Sequence, residues 1–177
     1  MRCSIALLAG AAGLVLMSVL PAGAQGAARG TVTGLPLPRF VSLEHGQTAV
    51  RVGPGENYPR AFTYQRRNLP VEVTAEFDVW RRVRDMDGEE GWVRQTQISG
   101  TRYAIIEPWS SGDPVPARAR AEADSPVAVL LEPGVQAVLV ECNGRMCLLS
   151  GDDGARWQGW VAQDRLWGAY PGETVER

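Results

Sequence analysis

The chain contains no lysine, a single histidine and three cysteines among its 177 residues. All 18 basic residues are therefore arginines, and they are dispersed along the sequence rather than grouped. With 20 acidic residues the net charge is −2, so the chain lacks the concentrated basic surface that phosphate binding requires. This composition argues against nucleic acid as a partner, and it leaves few residues for nucleophilic or metal chemistry.

A long apolar run occurs once, at the N-terminus. Met1-Arg2 precedes an apolar stretch over residues 5–20, and the small residues Ala22-Gly23-Ala24 follow it. This order is typical of a secretory signal peptide, and we expect residues 1–24 to be cleaved after Ala24. An uncleaved membrane anchor is the alternative. We expect a periplasmic protein with no membrane span after cleavage, because no second apolar run is long enough to cross a bilayer.

Two cysteines, Cys142 and Cys147, follow the predicted cleavage point, and an oxidising compartment allows them one disulfide. A two-residue turn at Asn143-Gly144 would place them diagonally across a hairpin, too far apart to bond. A four-residue loop would place them directly opposite each other, and we predict that register and a disulfide. Two cysteines and the distant His45 do not make a metal site, so we expect no metal and no cofactor.

Turn-forming residues divide the rest of the chain. The Gly-, Ala- and Pro-rich residues 25–39 predict a flexible leader, residues 108–114 a linker, and residues 173–177 a frayed tail. The segments between them, 40–107 and 115–172, contain short apolar runs without a helical period. Runs of this kind predict an all-β fold in two modules.

The two halves also repeat each other. A shift of 67 or 68 residues brings similar residues together, with one extra residue in the second half around residues 151–156. The matched positions are Arg51 with Arg118, Val71 with Val138, Val73 with Val140, and Gly91-Trp92-Val93 with Gly159-Trp160-Val161. A unit of this length suits a small barrel of five or six short strands, so we predict two tandem β-barrels.

Several motifs resemble those of a known family. Residues 50–59 (VRVGPGENYP) resemble the strand and turn that open bacterial SH3 domains, and Trp80-Arg81-Arg82-Val83 and Gly91-Trp92-Val93 resemble later strands of that family. Residues 166–173 resemble the end of exported proteobacterial proteins with paired SH3-like repeats. The resemblance covers residues 40–103 well and 112–170 more loosely, and it implies SH3-like barrels that often recognise cell-wall peptides.

The second repeat departs from the family pattern. Gly53-Pro54-Gly55 predicts a tight structural turn in the first repeat, with φ fixed by proline and positive φ permitted by the glycines. Residues 118–122 (RARAE) stand there in the second repeat, and Met146 or Cys147 stands in place of Trp80. We therefore expect the second module to be mainly structural.

The first module carries the predicted ligand site. Trp80 and Val83 are three residues apart on a strand and face opposite sides, so a buried Val83 puts Trp80 on the outer, groove side. Groove aromatics of SH3-like barrels stack on peptides, and we predict that Tyr58, Tyr64, Trp80 and Trp92 line such a groove. The alternative is that these rings cap the ends of the barrel.

The other aromatic residues have predicted structural roles. We expect the rings of the second module to bury the C-terminal stretch against their own barrel, and Trp109 to pack between the modules. The rings of the second module are Trp157, Trp160, Trp167 and Tyr170.

No catalytic arrangement of residues is evident, because the acidic pairs fall in predicted turns and His45 stands alone. We therefore predict a non-catalytic protein whose partner is cell-wall peptide or an envelope protein. The alternatives are a structural scaffold for another envelope protein, with no small ligand, and a hydrolase.

Overall fold

The computed structural model of the protein describes residues 28–152 and 154–176. These residues form an all-β fold whose two main antiparallel sheets follow one another along the chain, as predicted. The predicted signal peptide and its cleavage site lie outside the described residues. In the part of the chain that the structure describes, no helix is long and apolar enough to span a membrane.

The first sheet has six strands of four to eight residues and one of two residues, and a two-stranded hairpin precedes it. The strands are β1 (Ala28–Arg29) and β2 (Pro36–Leu37) in the hairpin, then β3 (Arg39–Leu43), β4 (Thr48–Arg51), β5 (Arg60–Tyr64), β6 (Pro70–Phe77), β7 (Trp80–Arg84), β8 (Glu90–Arg94) and β9 (Ile98–Ser99) in the sheet. Their order in the sheet is β5-β4-β8-β7-β6-β3-β9.

The second sheet repeats this plan and adds one short strand. Its strands are β10 (Tyr103–Ile106), β11 (Val115–Arg118), β12 (Val127–Leu131), β13 (Gln136–Asn143), β14 (Met146–Asp152), β15 (Arg156–Ala162), β16 (Leu166–Trp167) and β17 (Thr174–Val175). The order is β12-β11-β15-β14-β13-β10-β16, and β17 pairs with β13. A 3₁₀ turn precedes β9 in the first sheet and β16 in the second.

Each barrel closes where a glycine lets two strands approach each other. A Cβ on Gly91 would lie 2.3 Å from a methyl group of Val50, and one on Gly159 would lie 2.6 Å from the Cβ of Ala117. The tryptophan after each glycine makes the pairing contact: Trp92 of β8 pairs with Arg51 of β4, and Trp160 of β15 pairs with Arg118 of β11. The repeated Gly-Trp-Val motif therefore serves barrel closure, and its valine joins the core.

Strand β10 belongs to the second sheet, although the turn residues predict a first module that extends to residue 107. It pairs with β13 and β16. Ala104 and Ile106 join the core of the second barrel, whereas Ile105 joins the core of the first. The chain passes between the sheets at residues 100–102, and the predicted linker 108–114 is a loop within the second sheet.

Aromatic side chains of the second module pack on the first. The ring centroid of Phe40 lies 5.1 Å from that of Trp167 and 4.6 Å from that of Tyr170. Trp167 Nε1 donates to the carbonyl of Pro70 at 2.8 Å, and the Tyr170 hydroxyl donates to Glu72 Oε1 at 2.9 Å. Burial and this hydrogen bond raise the pKa of Tyr170. Trp167 and Tyr170, which were expected to bury the C-terminal stretch against the barrel, therefore also join the two modules.

The strand pairing corrects the predicted alignment of the repeats. Val73 pairs with Val83, and Leu139 pairs with Leu149, before a bulge at the same place in both hairpins. The offset in β6 and β7 is therefore 66 residues, and Val73 corresponds to Leu139 rather than to Val140. Val140 faces away from the core, because a slip of one residue reverses the face of a strand. Relative to the first repeat, the second has lost one residue before β13 and gained two between β14 and β15.

Cys142 and Cys147 form the predicted disulfide in the predicted register. They pair directly across β13 and β14, with their Cα atoms 4.1 Å apart, and a four-residue loop separates them. Asn143 shapes that loop, since its Oδ1 accepts from the main-chain N–H groups of Arg145 and Met146. At the equivalent pair of the first repeat, Glu76 and Arg81 form a buried ion pair of 3.7 Å.

Residues 173–176 are also ordered, contrary to the predicted frayed tail, and residue 177 lies outside the described residues. Thr174 and Val175 pair with β13 beside the disulfide. Glu173 accepts hydrogen bonds from Arg102 at 2.9 and 3.1 Å. The pairing partner and the arginine are both distant in sequence, so the local composition of residues 173–177 gave no sign of them.

One buried carboxylate holds residues 28–39 of the segment 25–39, which was predicted to be flexible, and residues 25–27 lie outside the described residues. Glu76 accepts hydrogen bonds from the N–H groups of Val32 and Thr33, from the Thr33 hydroxyl and from Arg39, at 2.6 to 3.0 Å. Its side chain has no exposed surface. Burial alone would raise the pKa of Glu76, but the hydrogen bonds from Thr33, Val32 and Arg39 outweigh burial and bring the pKa to about 2.

Glu76→Gln should lower the free energy of unfolding at neutral pH, where the wild-type carboxylate is charged. In acid the wild type loses the same contribution because the carboxylate is protonated. The carboxyl pKa rises from about 2 in the folded chain to 4.5 in the unfolded chain, so its contribution is complete above pH 4.5 and is lost as the pH falls toward 2. We expect the variant to be about 3 kcal/mol less stable at pH 7, with the difference shrinking in acid. Chemical unfolding followed by tryptophan fluorescence across this pH range measures the difference.

Glu44→Gln is the control for this experiment. It breaks an exposed ion pair with Arg67, whose distance is 3.2 Å, and should change the stability by less than about 1 kcal/mol. A Glu76→Gln deficit that stays constant with pH would contradict the role assigned to the carboxylate.

Candidate ligand-binding face

The outer face of β4, β8 and β7 carries two of the predicted aromatic residues, interleaved with arginines. Arg51 pairs with Trp92, which pairs in turn with Arg82. Two residues further along β8, Arg94 pairs with Trp80. The intervening valines are buried in the core, as strand alternation requires. The structure therefore places Trp80 and Trp92 on the outer side of the sheet, as predicted from the sequence.

Trp80 is on the outer face but is covered by its neighbours. The residue is only 6% exposed, and the guanidinium of Arg94 lies 5.5 Å from the ring centroid. Arg94 also forms an ion pair with Glu56 of the β4–β5 loop. The cavity that remains beside these residues and Arg51 has a volume of only about 210 Å³. Ligand pockets usually enclose roughly 300–1,000 Å³, so this face offers a surface rather than a pocket.

The ring of Tyr58 lies across the Gly53-Pro54-Gly55 turn and is 42% exposed. A Cβ on Gly53 would approach the ring to 2.4 Å, which is shorter than any tolerated contact. Neither glycine has a positive φ, so the turn does not use the left-handed backbone that its glycines permit. Glycine is required at position 53 because the ring of Tyr58 occupies the space of a side chain.

An arginine fixes this loop in both repeats. Arg51 Nη1 donates to the carbonyl of Tyr58 at 2.7 Å, and Arg118 Nη1 donates to the carbonyl of Ser125 at the same distance. Equivalent main-chain bonds close the two loops. The second repeat therefore keeps the loop without its glycines. The alignment of Arg51 with Arg118 contained this signal, but sequence reasoning missed its role.

Tyr64 lies in the core of the first barrel rather than on the outer face. It is 8% exposed, its ring meets that of Phe62 edge-on, and its hydroxyl donates to Asp85 Oδ2 at 3.0 Å. Burial, together with the neighbouring Asp85, raises the pKa of Tyr64. This location separates Tyr64 from the exposed Tyr58 and the half-buried Trp92.

The remaining tryptophans are distributed differently from the prediction. Trp109 is 60% exposed in the β10–β11 loop, so the expectation that it packs between the modules is wrong. Trp160 pairs with Arg118 on the outer face of the second sheet, which is the position of Trp92 in the first. Trp157 covers Gly151, whose Cβ would lie 2.5 Å from the indole.

The second module has a much larger cavity at the position of the small one in the first. It encloses about 810 Å³ and includes Arg118, Met146 and Ala162 in its lining. Met146 and Ala162 pair across β14 and β15 as Trp80 and Arg94 pair across β7 and β8. Sequence reasoning missed this cavity, because the absence of a tryptophan at the position of Trp80 predicts a lost ligand contact, whereas in the first module that tryptophan fills the site.

Among residues 28–152 and 154–176, no three His, Cys, Asp or Glu side chains lie close enough together to hold a metal ion. His45 is exposed between β3 and β4, and Cys142 and Cys147 are joined to each other.

The family profile of the bacterial SH3 domain matches the chain twice, at residues 44–100 and 111–168. The protein belongs to the bacterial SH3 domain family. The first match covers β4 to β9 and the second covers β11 to β16, and together they confirm the resemblance seen in the motifs. No curated protein matches the chain.

Two solved structures from Trichomonas vaginalis show a distant similarity. NlpC2 is 9% identical with a TM-score of 0.33, over 75% of this chain and 49% of that one. NlpC1 is 10% identical with a TM-score of 0.31, over 78% of this chain and 48% of that one. The chain thus spans about half the length of these structures, and such low scores carry no argument about its function.

Gly53→Ala should destabilise the first module because the new methyl group displaces the ring of Tyr58. We expect a loss of about 1–3 kcal/mol in chemical unfolding. Gly46→Ala is the control, since a Cβ there meets no atom within 4 Å, and it should be neutral or slightly stabilising. Equal effects at the two positions would refute the steric explanation.

Proposed function

We propose that this protein is a non-catalytic binding protein of the cell envelope that recognises cell-wall peptide through the outer face of its first SH3 module. Residues 1–24 would direct its export to the periplasm. Members of this family commonly bind cell-wall components, and the chain consists largely of two such modules. The lone exposed His45 and the disulfide-bonded cysteines support a protein without a nucleophilic centre.

The row formed by Arg51, Trp92 and Arg82 carries the proposal. Aromatic rings pack on an extended peptide, and guanidinium groups donate to its carbonyl and carboxylate oxygens. Arg51 and Arg82 would do so through the N–H groups that the Tyr58 carbonyl and the ion pair with Glu90 leave free. Tyr58 extends this surface beyond the end of the sheet, where Arg51 holds its main chain. Trp80 and Arg94 stack on each other beside this row, two residues further along β7 and β8, and support it from that side.

Sedimentation with purified sacculi tests this proposal. Wild-type protein should co-sediment, and Tyr58→Ser and Trp92→Ser should each lower the affinity about tenfold or more, as loss of a central aromatic contact does. His45→Ala, on an exposed turn, is the control and should bind normally. Absence of co-sedimentation, or equal binding by all the variants, would overturn the proposal.

A second candidate function, docking of an envelope protein, rests on the edge strand β12. Its five residues are all apolar, and Val127 and Leu130 are 50% and 61% exposed. Within the described residues β12 pairs only with β11, so one edge of its backbone is open. Uncharged open edges accept an added strand from a partner.

Leu130→Lys should abolish such docking, because a charge on an edge strand blocks strand addition. Thr63→Lys, at the equivalent position of β5 in the first repeat, is the matched control and should have no effect. Affinity purification from periplasmic extract measures recovery of any partner. If one dominant envelope protein is recovered with wild type and Thr63→Lys but not with Leu130→Lys, this function is supported. If recovery is the same with all three, it is excluded.

A further inference from the structure

The cavity of the second module lies between two loops and the end of the chain. The β11–β12 loop forms one wall through Ala121 and Ala123, and the β13–β14 hairpin tip forms another through Arg145. Pro171 and Gly172 complete the rim from the C-terminal segment. Its volume of about 810 Å³ lies within the range of roughly 300–1,000 Å³ that is usual for ligand sites.

Three substitutions between the repeats open this cavity. In the first module, Trp80, Arg94 and Glu56 fill the site with a stacked and ion-paired set of side chains. The strand register places Met146 at the position of Trp80 and Ala162 at that of Arg94. Ala123 stands in the loop where the first repeat has Glu56. The larger volume follows in part from these smaller side chains. The hairpin tip and the C-terminal segment also contribute lining residues, whereas no such segments line the site of the first module.

The lining has a definite chemical character. Its floor is aliphatic, with Val115, Pro116, Met146 and Ala162, and the lining of the cavity includes no aromatic ring. Nucleic acid bases and other flat rings therefore find no side chain to stack on. Small apolar groups fit this floor.

The charged residues of the lining are mostly engaged elsewhere. Arg165 forms an ion pair with Glu107, and Glu122 forms one with Arg120. The side chains of Arg145 and Asp164 remain. Both are exposed, and neither has a side-chain partner within the described part of the chain. Arg118, the fifth charged residue of the lining, has no ion pair among the described residues but donates to the carbonyl of Ser125, so Arg145 and Asp164 are the charged side chains of the lining without a partner there.

The walls of the cavity are held in place by several independent contacts. The disulfide closes the four-residue loop at the tip of the β13–β14 hairpin. Gln163 is 4% exposed and fastens the C-terminal segment, with Nε2 donating to the carbonyl of Glu173 at 2.7 Å and Oε1 accepting from Gly172 N at 3.0 Å. A preorganised wall lowers the entropic cost of binding.

We propose that this cavity binds a short peptide with small apolar side chains, whose free carboxylate pairs with Arg145 and whose amine pairs with Asp164. The site is separate from the outer face of the first module. An experiment can therefore confirm or refute binding in this cavity independently of the proposed binding to sacculi.

Titration of isotope-labelled protein with tetra-alanine, followed by NMR, tests the site. Resonances of Met146, Ala162 and Gly144 should shift, whereas those of Trp80 and Trp92 should not. Amidating the peptide carboxylate should weaken binding roughly tenfold, the value of one charge-assisted hydrogen bond. Arg145→Ala should weaken binding of the free acid by a similar factor and leave binding of the amide unchanged. Arg156→Ala is the control, because that exposed arginine lies outside the cavity and should not alter binding.

A filled-cavity variant gives a second readout. Met146→Trp with Ala162→Arg rebuilds the pair that the first module already contains, so the barrel should fold, and binding should be lost. No shifts with tetra-alanine at millimolar concentration, shifts confined to the first module, or undiminished binding by the folded double variant would each overturn the proposal. Those outcomes leave the sedimentation test of the first module untouched.

Discussion

Burial of β10 on both faces is the constraint on which the arrangement of the modules depends. Its short apolar run gives Ala104 and Ile106 to one core and Ile105 to the other. A strand buried on both sides leaves no solvent layer between the barrels. Trp167 and Tyr170 then extend the contact to Phe40 and Glu72. The relative position of the two outer faces is therefore set by core packing rather than by a flexible connection.

In both repeats an interaction between paired residues holds the tip of the same hairpin together, but the chemistry of that interaction differs. The first uses the buried pair of Glu76 and Arg81, and the N-terminal hairpin covers the carboxylate. The second uses the disulfide of Cys142 and Cys147, and the C-terminal strand pairs beside it. Each end of the described chain thus completes one module, which explains why segments with loop-like composition are ordered.

The sequence was sufficient to predict the fold, because turn residues, strand alternation and the repeat all depend on local pattern. The cysteine register was also predictable, since hairpin geometry admits few loop lengths. Long-range contacts were not. Periodicity does not reveal which distant residue a side chain will contact. Three features depend on such partners: the burial of both faces of β10, the ordering of Thr33 by Glu76, and the position of Tyr64. The alignment of Val73 with Val140 failed because identical valines concealed a one-residue deletion, which reverses the face of a strand.

The two repeats differ at one pair of outer-face positions, which holds Trp80 and Arg94 in the first and Met146 and Ala162 in the second. This difference suggests how a duplicated module can acquire a new surface. These pairs lie on the outer face, away from the residues that close the barrels and fill the cores. After a duplication, one copy can retain bulky side chains while the other exchanges them for small ones, with the framework unaltered. Two paralogous surfaces then evolve within a single polypeptide, each constrained by the same scaffold but free to acquire its own specificity.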